Sequence, residues 1–123
     1  MKKILIVEDD FASELMLEMM IEDFCKFPLI AIDGLEAVRI CKENPDIDLV
    51  LMDIKLPELN GYDATKRIRE FNKDIIIIAQ TSYAFPDDRE KAITAGCNDY
   101  ISKPYSQRDL TELLKKWAKN IMI

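Results

Sequence analysis

The chain contains no histidine. That absence excludes a nucleophilic triad of the Ser-His-Asp type, removes most zinc sites, and means the chain cannot itself carry a phosphohistidine. Long apolar runs are missing too: none approaches the roughly 20 residues that span a bilayer, and Met1-Lys2-Lys3 followed by a short apolar stretch is too brief for a secretory leader. No membrane insertion is expected, and the cytoplasm is the expected compartment. Cys25, Cys41 and Cys97 are odd in number, widely spaced and set in apolar patterns, so they read as small core thiols rather than a disulfide scaffold. Positive charge is in deficit: a net charge of −6 disfavours direct nucleic-acid binding, whose affinity rests on Lys and Arg neutralising phosphates. There is no linker, internal repeat or low-complexity segment. With 123 residues, 49% of them apolar and 33% charged, the chain is expected to form one globular domain over 1–123.

Within that domain the stretch from Leu49 to Asp63 stands out. An apolar run ends abruptly on Asp53, and Pro57 and Gly61 follow before a helical pattern resumes. Four other apolar runs read as strands: Ile4 to Val7, Pro28 to Ile32 at a sheet edge because of its proline, Ile75 to Ala79 as a central strand, and Asp99 to Ser102. Between them the spacing predicts helices over Phe11 to Cys25 with Asp10 as N-cap, over Leu35 to Glu43, from Gly61 with Ala64, Ile68 and Phe71 on one face, and between Pro86 and Gly96. Met16, Met19 and Met20 read as helix packing. A final amphipathic helix carries Leu110, Leu113, Leu114, Trp117, Ala118 and Ile121, opened by a capping-box pair, Ser106 and Asp109. Strict strand–helix alternation, five times over, predicts a parallel sheet with helices on both faces.

In such a sheet ligands bind outside the carboxyl ends of the strands. The ends deliver Glu8 and Asp9, then Asp53, Thr81 and Lys103. Three carboxylates brought together repel one another unless a cation relieves them, and an all-oxygen cluster without histidine or thiolate suits a hard ion such as Mg2+. A carboxylate beside Mg2+, a lysine and a hydroxyl has the parts for phosphoryl transfer, with Asp53 as candidate nucleophile. No GxxxxGK[ST] loop is present, which argues against ATP bound by this chain as the donor.

The chain resembles the receiver domain of two-component response regulators over almost its whole length. The match is carried by Glu8-Asp9-Asp10 after Ile4 to Val7, by Asp33-Gly34 with Glu36-Ala37, by Leu51-Met52-Asp53-Ile54 with Leu56-Pro57 and Asn60-Gly61, by Thr81-Ser82, and by Tyr100 to Pro104. The resemblance implies a flavodoxin-like (βα)5 fold with strand order 2-1-3-4-5. It implies that Asp53 accepts a phosphoryl group from a phosphohistidine on a sensor histidine kinase or histidine phosphotransfer domain. Asp9 and Asp53 would ligate Mg2+ directly, or Mn2+ in its place, with Glu8 acting through water and the main-chain carbonyl of Lys55 completing the set. Thr81 and Lys103 would contact the phosphoryl group, Tyr100 would turn inward with Thr81, and the Lys103-Pro104 bond would be cis. The outcome would be a changed surface on the fourth helix, fifth strand and fifth helix, read by a downstream protein or by a second copy in a phosphorylation-dependent homodimer.

Three departures from the family pattern carry expectations of their own. Glu8 replaces the commoner aspartate, Ser82 is bulkier than the usual Ala or Gly and would narrow access to the site, and Lys55 and Tyr83 would hinder the hydrolytic water and prolong the phosphorylated state. The phrase around Met52 to Thr65 is similar to receivers at the C-termini of hybrid sensor kinases. The expectation is therefore a stand-alone regulator or a receiver taken from a longer kinase. A Mg2+-dependent phosphohydrolase acting on an external phosphate ester through an aspartyl phosphate is the alternative. It is disfavoured by the lack of a cap domain and by Lys55 standing where that chemistry wants an acid.

Overall fold

A computed structural model of the chain describes residues 3–82 and 85–121, with side chains in the last helix as far as Ala118. Five strands alternate with five helices: β1 Ile4–Val7, α1 Phe11–Met20, β2 Leu29–Ala31, α2 Gly34–Glu43, β3 Leu49–Asp53, α3 Gly61–Arg69, β4 Ile76–Thr81, α4 Asp88–Ala95, β5 Asp99–Ser102 and α5 Gln107–Ile121. All pairings are parallel, in the order β2-β1-β3-β4-β5. The flavodoxin-like order is therefore as expected, with β3 in the middle and β4 interior beside it.

Strand alternation divides the core into two layers. Leu5, Val7, Val50, Met52, Ile77 and Ala79 face α2, α3 and α4 through Ala37, Ile40, Ala64, Ile68 and Ala92. Ile4, Ile6, Leu49, Leu51, Ile76 and Ile78 face α1 and α5 through Leu17, Ile21, Leu110 and Leu114. Strands covered on both faces have no reason to alternate polar and apolar residues, which is why they read as continuous runs. The three cysteines are free and buried.

Local chemistry sets the helix ends. Asp10, Asp33 and Asn60 each accept a backbone N–H from the first turn of α1, α2 and α3, at Ser13, Glu36 and Asp63. Ser106 and Asp109 exchange reciprocal bonds of 3.0 and 3.2 Å at the start of α5, the predicted capping box. Gly96 closes α4 with φ of 114°, a left-handed conformation that favours glycine.

Several expectations need correction. α1 stops at Met20, five residues short of Cys25, where Glu22 and Asp23 would meet the negative end of the helix dipole. Its methionines divide: Met20 packs on the core, whereas Met16 and Met19 are exposed. α3 ends at Arg69, so Phe71 falls beyond it and is exposed. Pro86 precedes α4 rather than opening it. Asp53 and Thr81 are the last residues of their strands. Ile121 lies outside the described side chains.

Gly61 ties the fold to the Asp53 loop. Its N–H donates to the Ile54 carbonyl at 2.9 Å, and a Cβ there would come within 2.3 Å of the Asp53 carbonyl oxygen. The contact is backbone to backbone, so no side chain can turn aside. Gly61→Ala is expected to cost about 2 kcal/mol or more of stability, read as a lower urea midpoint; an unchanged midpoint would contradict the close approach.

Candidate phosphoryl-transfer site

The carboxyl ends of β1, β3, β4 and β5 bring together Glu8, Asp9, Asp53, Thr81 and Lys103. One carboxylate oxygen each from Glu8, Asp9 and Asp53 lies within 4.8 Å of the others. Glu8 and Asp53 are buried and Asp9 is exposed, so the cluster opens to solvent on one side. Alternation explains the grouping: Glu8 continues the face of Ile4 and Ile6, and Asp53 that of Leu49 and Leu51, so both point into the α1/α5 layer. Thr81, two residues after Ala79, emerges on the opposite face.

The Lys103 ammonium bridges the two buried carboxylates, 2.8 Å from Glu8 Oε2 and 3.5 Å from Asp53 Oδ2. Its backbone N–H donates to the Thr81 carbonyl at 2.7 Å, which fixes the loop after β5 against the end of β4. The Lys103-Pro104 peptide is cis, as the resemblance implied. Asp53 Oδ1 accepts the Lys55 N–H at 3.3 Å. Burial, and then the neighbouring Glu8 charge, push the Asp53 carboxyl up to about 7, against the pull of Lys103. Burial alone would lower Lys103, but its bond to Glu8 and the charge of Asp53 outweigh it and leave its pKa raised.

Two tyrosines complete the surroundings. The Tyr100 ring packs against the α2–α4 layer and its hydroxyl is joined to Ser102 Oγ at 2.9 Å. Tyr105 donates its hydroxyl proton to Gln80 Oε1. Burial first, then the charges of Glu8 and Asp53, raise its pKa. Lys55 and Ser82 are exposed, and Tyr83 lies outside the described residues. The direct Glu8–Lys103 pair and the Gln80–Tyr105 bond were missed by sequence reasoning. The only signal for the second is a polar residue late in an apolar strand and a tyrosine after Lys-Pro.

The donor set suits a hard divalent ion: three carboxylates, two of them buried and held at a net negative charge that a single ammonium does not cancel. The same excess makes the site costly to ionise. Since Asp53 has a raised folded-state pKa, the native chain binds more protons than the unfolded chain between 3.8 and about 7, and stability falls as pH rises through that window. Asp53→Asn is expected to gain about 2 kcal/mol over the wild type at about pH 8 and to lose that advantage by about pH 4. Urea melts across this range check it; an advantage independent of pH would contradict the assignment.

A family model described as the response regulator receiver domain matches residues 4–115. The chemotaxis protein CheY of Halobacterium salinarum is 37% identical over 114 residues, covering 92% of this chain and 93% of that protein. Hybrid signal transduction histidine kinases B and G of Dictyostelium discoideum also match, but the chain spans only 6% and 4% of their lengths. Among solved structures, the Ssk1 receiver domain, co-crystallised with the histidine phosphotransfer protein Ypd1 of Saccharomyces cerevisiae, superposes with a TM-score of 0.87 at 34% identity. That match covers 94% of this chain and 88% of that one. The receiver domain of the Pseudomonas aeruginosa sensor kinase PA1611, with a magnesium ion in its active-site cleft, superposes at 0.84 with 36% identity, covering 94% and 96%. None of these findings favours the phosphohydrolase alternative. With a family model over residues 4–115 and a relative matched almost end to end, the chain belongs to the response regulator receiver domains of two-component signalling.

Proposed function

We propose that Asp53 is the phosphoacceptor of this receiver and that residues 1–123 act as a single switching domain. One observation carries the reading: a buried carboxylate ends the middle strand, beside a second buried carboxylate, with a lysine ammonium bridging both. An Asp53 oxygen would attack the phosphorus of a phosphohistidine, forming a P–O bond as the P–N bond breaks and the imidazole leaves. Glu8, Asp9 and Asp53, with the main-chain carbonyl of Lys55, would hold Mg2+, or Mn2+ in its place, and the ion would neutralise charge on the carboxylates and the phosphoryl oxygens.

Lys103 already spans the acceptor and its neighbour, so a short shift would let its ammonium hold a phosphoryl oxygen. Thr81 closes β4 on the other face and would offer its hydroxyl, while Tyr100 would follow Thr81 and carry the change to α4, β5 and α5. That output face is knitted together by buried Asp99, which accepts from Trp117 Nε1 at 2.9 Å and from Lys116 at 3.2 Å and lies 3.7 Å from Arg89. A downstream protein, or a second phosphorylated copy, would read it.

The phosphodonor would be a sensor histidine kinase or a histidine phosphotransfer domain, docking beside Asp53 in the cytoplasm. Support comes from α1, which starts two residues after Asp9 and leaves Phe11, Leu15, Met16 and Met19 exposed, an apolar face suited to a helical partner. Ssk1 itself is seen with such a phosphotransfer protein. No helix is long and apolar enough to cross a membrane among the described residues.

Incubation with acetyl phosphate and Mg2+ should load one phosphoryl group per chain, detected by intact mass and absent from Asp53→Ala. Sustained turnover of phosphate esters would overturn the reading. Lys55 and Tyr83 would slow hydrolysis of the acyl phosphate by crowding the path of water. Lys55→Asn combined with Tyr83→Ala should therefore speed phosphate loss, and an unchanged decay rate would remove that role.

A further inference from the structure

Gln80 is fully buried, yet it is the penultimate residue of a strand whose preceding residues are all apolar. A buried amide group left without a hydrogen-bond partner is destabilising, because it has given up water for nothing. Gln80 answers one: its Oε1 accepts the Tyr105 hydroxyl. Its Nε2 has no hydrogen-bond partner among the described residues. A fully apolar side chain would fill the same position without that cost, so the amide calls for an acceptor the resting site does not supply.

Register locates the acceptors. Gln80 sits opposite Asp53 in the β3/β4 ladder and opposite Ile101 in the β4/β5 ladder. Alternation from Ile76 and Ile78 puts its side chain on the α1/α5 face, the face of Asp53 and Glu8 and the one away from Thr81. Tyr105 follows Lys103 by two residues, and the Glu8 and Asp53 charges both act on its hydroxyl. The Tyr105–Gln80 bond therefore ties the loop that carries Lys103 to the strand flanking Asp53. One end of the amide is fixed by the loop, and the other is a donor lying in a layer whose acceptors are carboxylates.

We propose that Gln80 and Tyr105 form one positioning unit for phosphoryl transfer at Asp53: Tyr105 orients the buried amide, and the amide N–H is held ready for an oxygen at Asp53. The unit acts on the face opposite Thr81, so the acceptor is steadied from both sides of the sheet. It rests on Asp53 being the phosphoacceptor. The acidic cluster suited to the ion is Glu8, Asp9 and Asp53, and the Tyr105 and Gln80 oxygens are engaged with each other, so the unit acts on the rate of transfer and not on Mg2+ binding.

Phosphorylation by acetyl phosphate, followed by intact mass across a Mg2+ titration, tests this with Tyr105→Phe, Gln80→Leu and the double variant. Each single change should slow labelling at saturating Mg2+ by about three- to tenfold, with the half-saturating Mg2+ concentration unchanged. The double variant should be no slower than the slower single, since both remove one unit. Single variants that label at the wild-type rate, whatever their melting temperatures, would reduce the pair to packing and overturn the proposal. Slowing that multiplies in the double variant, or that follows a shifted Mg2+ half-saturation, would overturn it too. Should Gln80→Leu fail to fold, Tyr105→Phe alone decides, because it keeps the ring and removes only the hydroxyl. A wild-type chain that takes up no phosphoryl group overturns both this unit and the reading of Asp53, whereas a labelled wild type with indifferent variants overturns the unit alone.

Discussion

Two carboxylates, Glu8 and Asp53, are buried side by side at the ends of neighbouring strands, and one ammonium spans them. Much of the structure around the sheet edge answers that constraint. Left alone, the pair would hold a proton between them or force the strand ends apart. Lys103 relieves the repulsion without cancelling it, since Asp53 stays well above the usual carboxylate range. A site built this way favours the arrival of positive charge. Were Asp53 to take up a phosphoryl group, as proposed, a cation would already be within reach and little reorganisation would be needed.

The sheet makes the constraint unavoidable. Parallel pairing of β1, β3, β4 and β5 sends four carboxyl ends to one edge, and a period of two decides which side chains meet there. Glu8 and Asp53 share a face because each lies an even number of residues beyond the leucines and isoleucines of the α1/α5 layer. Thr81 approaches from the other face for the same reason, as an odd step along β4. Moving any one strand by a single residue would carry its functional group to the opposite layer, so the hydrophobic register and the chemistry of the site are specified together.

This coupling explains how much was legible in the sequence. Continuous β-branched runs marked the strands, and the polar residue ending each run marked the site, so the fold and the gathering of Glu8, Asp9, Asp53, Thr81 and Lys103 could be read directly. Less legible was whatever depended on a balance of local terms. The apolar spacing through Ile21 and Phe24 suggested a helix continuing to Cys25, but acidic residues at its end and packing of Ile21 into the core allow an irregular turn instead. Met16 and Met19 have the spacing of core residues, and only the direction of α1 reveals that they face outward. Contacts between distant residues were invisible for a simpler reason: nothing in the order of residues says that Tyr105 will reach Gln80, or that Lys103 will pair with Glu8.

Those two contacts bear on how the edge can respond. Lys103 and Tyr105 lie on one short loop, the first bonded to the acidic pair and the second to the strand beside it. The loop is also anchored by the Lys103 N–H on the Thr81 carbonyl. A displacement of Lys103 toward a phosphoryl oxygen, as proposed, would therefore pull on a segment restrained at the main-chain carbonyl of Thr81 and at the side chain of Gln80. Motion of the loop is steered along the sheet edge rather than away from it. The Ser102–Tyr100 bond then places the next residues of β5 under the same pull, and Asp99 at the start of that strand is bonded to Trp117 and Lys116 of α5. Under the proposed phosphorylation of Asp53, these contacts would carry a charge change there toward the α4–β5–α5 face, the more directly the stiffer the loop.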